Sequence, residues 1–230
     1  MSLSVCCLTN VSGARLRAIL APLREVADEV VVAADARTPP EEVEQYRSVA
    51  DRVLRCEFEL LETHLAWLHG ECAGDWVLRL DGDELVSPAL VAALPELTAR
   101  GDMRQYWLPR RWLDSSGQGW YDELPWWPDY QNRLVRNDAS LRFETRIHSG
   151  AVPQFPARYL GEPFYHLLCA VETFDERQLH SLRYELVQPS LLAPGGGPLN
   201  ATFYLPELFA RRAPQPLPEQ DAGLVRTVPL

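Results

Sequence analysis

The sequence predicts an α/β fold: a mixed, mostly parallel sheet flanked by helices. Three observations carry that prediction. Short β-branched, apolar runs alternate with helically spaced segments over the first hundred residues. Two of those runs end in acids, at Asp35 and at Asp81, where open α/β sheets place their ligands. The chain of 230 residues is 47% hydrophobic, enough to bury one core of fair size.

The elements follow in order. Ser4 to Leu8 is a buried strand, and Gly13 to Val26 carries Leu16, Ile19, Leu20 and Leu23 at helical spacing. Glu29 to Ala34 reads as a parallel strand ending at Asp35. Pro39-Pro40 opens an acidic helix over Glu41 to Ala50, and Arg52 to Cys56 is a third strand. Leu60 to Cys72 is helical, Trp76 to Leu80 is the fourth strand, and Ser87-Pro88 starts a helix to about Arg100.

The second half changes character. Gln105 to Trp112, Asn132 to Arg136 and Leu141 to His148 read as strands of an antiparallel extension, with the aromatic segment 112–130 as a loop. Phe174 to Val187 and Asn200 to Arg212 read as helices. Residues 1–188 form the expected domain, divided into 1–100 and 101–188. Residues 189–230, with Gly195-Gly196-Gly197, form a Pro/Gly-rich extension whose last stretch, Pro214 to Leu230, reads as an arm that leaves room for a homodimer.

Composition narrows the function. A net charge of -10 argues against nucleic acid as a partner. The five cysteines match no zinc or disulfide spacing and read as reduced and mostly buried. Neither a signal peptide nor a membrane span is apparent, so a cytoplasmic location is expected and the Asn200-Ala201-Thr202 sequon is read as chance.

The chemistry concentrates in Asp75-Trp76-Val77-Leu78-Arg79-Leu80-Asp81-Gly82-Asp83-Glu84. A buried strand delivers two carboxylates separated by one small residue, so Asp81 and Asp83 can converge on a divalent cation, Mn²⁺ or Mg²⁺. Gly82 is read as leaving room for ligand. Arg133 and Arg136 flank an apolar strand and offer forks for phosphate or partners for the acids. The rings of Trp112, Trp120, Trp126, Trp127, Tyr121 and Tyr130 form a candidate acceptor site and lid, with at least two expected in the core.

Several segments together resemble family 2 glycosyltransferases, in particular the lipopolysaccharide-core β-glucosyltransferase-like branch. These are Asp28 to Val32 leading to Asp35, Gly74 to Glu84, Trp127-Pro128-Asp129-Tyr130-Gln131-Asn132-Arg133-Leu134-Val135-Arg136, Arg142-Phe143 and Ile147-His148. The resemblance implies a GT-A fold, the Rossmann-like fold of nucleotide-diphospho-sugar transferases, and inverting transfer from a nucleotide-diphosphate sugar. Residues 1–100 then become the nucleotide-sugar half and 101–188 the acceptor half. It implies that Asp35 contacts the nucleoside with Arg37 assisting, that Asp81 lies near ribose and metal, and that Asp83 is the main metal ligand. His148 would complete the metal site or bind the diphosphate, with His166 as a second candidate, and Arg133 would help hold the diphosphate. Inverting transfer needs a base for the acceptor hydroxyl. Asp122, Glu123 and Asp129 are the candidates, and Asp129 sits in the matching segment.

The acceptor stays open among a glycan, a lipid-linked sugar that would bring the chain to a membrane surface, and a small molecule. Thr9-Asn10-Val11-Ser12 replaces the family's usual Lys-Asn-Glu triplet, and Ala36-Arg37-Thr38-Pro39 its Gly-Ser-Thr run, so contacts to the donor base differ there. A non-catalytic nucleotide-sugar-binding protein and, further off, a sugar nucleotidyltransferase are the alternatives.

Overall fold

A computed structural model describes residues 1–146, 148–187 and 199–230. The elements in chain order are β1 (Leu3–Thr9), α1 (Gly13–Leu20), β2 (Glu29–Asp35), α2 (Pro40–Tyr46), β3 (Arg52–Cys56), α3 (Leu65–Gly70), β4 (Trp76–Asp81), β5 (Glu84–Val86) and α4 (Pro88–Ala99). There follow β6 (Gln105–Trp112), β7 (Gly119–Trp120), β8 (Asp129–Arg136), β9 (Ala157–Tyr159), β10 (Phe164–His166), α5 (Leu168–Val171), α6 (Phe174–Val187), α7 (Leu199–Tyr204), α8 (Pro206–Phe209), β11 (Gln215–Pro216) and α9 (Glu219–Val225).

The main sheet runs β3-β2-β1-β4-β8-β6-β10-β5, with β9 also paired to β6. β3, β2, β1 and β4 are parallel, whereas β8 runs antiparallel to both β4 and β6. β1 is buried along its whole length because both faces of the sheet are covered. Leu3, Val5 and Cys7 join Leu16, Ile19 and Leu20 of α1 on one face, while Cys6 and Leu8 meet Leu68 and Cys72 on the other. All five cysteines are free, and only Cys56 is not fully buried.

Local chemistry sets the element ends. The Ser12 hydroxyl caps α1 by accepting from the Arg15 amide at 3.3 Å, and Ser87 caps α4 through Leu90 at 3.1 Å. The helix expected over Gly13 to Val26 stops at Leu20, because Pro22 lies in a following 3₁₀ turn over Ala21–Leu23. The single helix expected over Asn200 to Arg212 is two short ones, α7 and α8, divided before Pro206. The strand expected over Leu141 to His148 does not form: only Phe143 makes a bridge, to Ala151, and Ile147 lies outside the described residues.

The arm expected over Pro214 to Leu230 folds back onto the body. β11 pairs with β7, and Leu217, Ala222, Val225 and Val228 bury against Leu85, Leu113, Tyr165 and Leu167. Gly195-Gly196-Gly197 and the 188/189 boundary lie outside the described residues. Asn200 is fully buried, with its side-chain amide bonded to His148 and Glu185, which is consistent with a chance sequon. No helix among the described residues is long and apolar enough to cross a membrane.

Candidate active site

Sheet register brings the acids together. β1, β2 and β4 end side by side, with Thr9 beside Ala34 and Leu8 beside Asp81. Because β8 runs antiparallel to β4, it begins where β4 ends, and Asp129 enters at that edge. β6 then delivers Arg110 opposite Asp129, β10 delivers His166 beside Trp112, and β5 sets Glu84 opposite His166. A cleft of about 800 Å³ opens over this edge, with α6 and α7 as its far wall. Its lining includes Asp35, Arg37, Asp81, Asp83, Asp129, Arg133 and His148. The residues named above for donor and metal, and one of the three candidate bases, therefore border one space, whereas Arg136, Asp122 and Glu123 are not among its lining.

The floor is an interlocked set of ions. Asp81 accepts from Arg79 on one oxygen and from Arg133 on the other. Glu84 is fully buried and accepts from Arg133 at 2.6 Å and Arg110 at 2.9 Å, while its other oxygen takes the Asp81 amide at 3.1 Å. Arg110 continues the chain to Asp129 at 2.8 Å. Asp129 also accepts from the Trp112 indole at 2.8 Å and from Gln131 at 2.6 Å. Removing one member of such a buried pair strands the other's charge, at about 3–5 kcal/mol.

The same contacts set the proton affinities. Burial raises both Asp81 and Glu84, each reinforced by neighbouring carboxylates, with the guanidiniums opposing. Burial also works against ionisation of Asp83 and Asp129, but there the partners win. His166, 3.0 Å away, and Arg110 hold Asp83 down at about 2. Arg110, Trp112 and Gln131 keep Asp129 below the usual carboxylate range.

Of the three candidate bases, only Asp129 borders the cleft among its described lining. Glu123 instead accepts the amides of Arg211 and Arg212 at 2.7 Å, tying the aromatic loop to the C-terminal segment, and Asp122 stands 4.0 Å from Arg212. Asp35 is engaged on both oxygens by Arg37, at 2.8 and 2.6 Å, and that pairing lowers its pKa. The exposed Arg37, held also by the Phe58 carbonyl at 2.8 Å, is the part of the pair that a ligand meets first.

His148 takes a left-handed backbone, φ 64°. Its amide donates to Glu62 at 2.8 Å and its Nε2 lies 2.7 Å from Asn200. Among the described residues no three His, Cys, Asp or Glu side chains stand together as a ready-made metal cage. Asp81 spends both oxygens on arginines. The donor chemistry fits a looser ion. Asp83 is ionised beside His166 at the cleft, and Mg²⁺ or Mn²⁺ bound with a diphosphate takes one or two protein carboxylates and fills its shell with water and phosphate. The buried Nδ1 of His166 and Nε of Arg133 have no protein partner, so the polar floor is not fully satisfied from within.

The structure refines two readings of the sequence and adds three residues to the site. A Cβ on Gly82 would stand 2.3 Å from Thr9 Oγ1 and 2.9 Å from Val11, so glycine is needed for the close approach of the β1 loop at a position that also borders the cleft. The aromatic segment does not form a single acceptor wall. Trp126 and Tyr121 are core, Trp120 and Trp127 gather around Arg111, and of the four tryptophans and two tyrosines only Trp112 lines the cleft. The cleft's aromatic wall comes instead from Tyr184 of α6 and Phe203 and Tyr204 of α7. Arg79, Glu84 and Arg110, which hold the acids in place, were not singled out from the sequence. The signal for Arg79 and Glu84 was their place within the acidic motif itself.

No protein-family model matches the chain, and no curated protein matches it. Solved structures do, and they define the class: the chain has the GT-A fold of nucleotide-sugar transferases. S. aureus TarS 1–349 is 16% identical, with 83% of this chain and 67% of that one covered and a TM-score of 0.51. The same protein in complex with UDP gives 0.52 over the same shares. Against a longer TarS chain, this chain spans 40% of the length. Glucosyl-3-phosphoglycerate synthase from Mycobacterium tuberculosis is 17% identical over 48% of this chain and 43% of that one, with a TM-score of 0.39.

Proposed function

We propose that the chain is a family 2-like glycosyltransferase that moves a sugar from a nucleotide-diphosphate sugar, with uridine or guanosine as the nucleoside, to an acceptor hydroxyl. The lipopolysaccharide-core branch is the variety its motifs resemble most. The observation that carries the reading is the convergence of Asp83 and Asp129 on one cleft, each ionised and each fixed by its own partners. TarS has also been solved in complex with UDP-GlcNAc, which supports a nucleotide-sugar donor on this fold.

In this reading the nucleoside lies over the ends of β1 and β2, against Val11, Asp35 and Arg37. The diphosphate lies across the Asp81–Asp83 turn within reach of Arg133. Asp83 is the residue that would hold a divalent ion, with Asp81 behind it; bound there, the ion would neutralise charge on the departing diphosphate. Asp129 takes the proton of the acceptor hydroxyl as its oxygen bonds to the anomeric carbon and the bond from that carbon to the diphosphate breaks. One displacement inverts the configuration. Arg110 and Trp112 hold one Asp129 oxygen, and Gln131 holds the other, so the base is oriented before substrate arrives.

One observation favours a second reading, a non-catalytic nucleotide-sugar-binding protein: Asp129 is bound by three donors, and a lowered pKa makes a weaker base. Nucleoside diphosphate release separates the two. With UDP- or GDP-sugars and Mn²⁺, the transferase reading expects release by the wild type and its loss in Asp83→Ala. Tight binding of donor with no release would establish the binder instead.

A further inference from the structure

We propose that a side cavity off the cleft is the acceptor subsite and takes a single pyranose ring, an assignment that rests on the transfer reading above. The cavity has a volume of about 210 Å³; Trp107, Tyr130, Asn132 and Glu144 line it, and it shares Gln131 and His148 with the cleft. Gln131 is the link, because the amide that borders both spaces donates to Asp129 at 2.6 Å. Gln131 thus joins the cavity to the carboxylate proposed as the base.

The aromatic geometry around the cavity is built but uncovered. β6 and β9 pair Trp107 with Tyr159, and their rings stack 5.8 Å apart at 17°. Tyr130 meets Tyr159 edge-on at 4.7 Å. Tyr159 is nevertheless 61% exposed. Trp107 and Tyr130 line the cavity itself and offer ring surface to whatever enters it, while Tyr159 packs behind them. A pyranose fits the whole set: its C–H face stacks on an aromatic ring, and its hydroxyls pair with the amides of Gln131 and Asn132 and the carboxylate of Glu144. A lipid chain would leave those polar groups unpaired.

Saturation-transfer NMR on the full chain with UDP and the diamagnetic Mg²⁺ tests this, using methyl β-D-glucopyranoside and methyl β-D-galactopyranoside as probes. At least one glycoside should receive saturation from the wild type, with its ring protons strongest. Trp107→Ala should weaken its binding about fivefold, the size of one lost aromatic contact. Val152→Trp fills the same cavity from its partly exposed rim and leaves every partner of Asp129 in place, so it should abolish the glycoside signal. The UDP signal should persist in both variants. A glycoside signal undiminished in Val152→Trp, or absent from the wild type while UDP binds, overturns the subsite. Failure of UDP itself to bind the wild type overturns the donor reading, and is read from separate resonances.

Discussion

Asp129 shows how much of this site is decided by partners rather than by residue type. A buried carboxylate is expected to resist ionisation, yet Arg110, Trp112 and Gln131 reverse that for Asp129. Its folded pKa lies below its unfolded one. The stability it contributes is therefore present above the unfolded value, near 3.9, and is lost as pH falls through the folded value. The melting temperatures of wild type and Asp129→Asn should converge as pH drops below about 4. At neutral pH the same substitution should lower kcat by about 10²–10⁴-fold, the usual contribution of a general base. A variant that kept wild-type turnover would move the base elsewhere. Asp35, Asp81 and Asp83 were legible in the sequence because they follow apolar strands, and Asp129 because its segment resembles the family's. Arg110 was not, since it stands on a strand whose pairing with β8 no local pattern reveals.

At the scale of elements, the sequence was legible wherever burial imposes a period. The parallel strands and α4 stand within a residue or two of their expected ends, because β-branched runs and the Ser87-Pro88 start are local signals. Leu141 to His148 alternates like a strand, yet among its described residues only Phe143 pairs, in an isolated bridge to Ala151. The last 17 residues, 214–230, were misread for the opposite reason. Their prolines suggest an arm, but Leu217, Val225 and Val228 find an apolar patch on β5, β10 and the loop after β6 that only the tertiary fold creates. This segment is part of the body, and Val225→Ala should lower stability by roughly 2 kcal/mol, from lost methyls and the cavity left behind. Urea unfolding would read it as a shift in midpoint without change in slope. An unchanged midpoint would show that the segment is only loosely docked.

Across the whole molecule, strand direction does the assembling. Four parallel strands carry Asp35 and the Asp81–Asp83 turn to one edge, and the antiparallel β8 returns Asp129 to the same edge from the other half of the chain. In the proposed reading the first half alone would have a place for a diphosphate and no base, and the antiparallel half would add Asp129 as the base, the arginine that orients it and the aromatic cavity near it. In the same reading this shared edge holds the donor diphosphate. A crystal soaked with UDP and Mn²⁺ tests it most directly. The expected result is the diphosphate over the Asp81–Asp83 turn, with manganese density touching Asp83 and the uridine near Arg37. Diphosphate lodged away from that turn, with Asp83 still closed on His166 and no metal at its carboxylate, would contradict it.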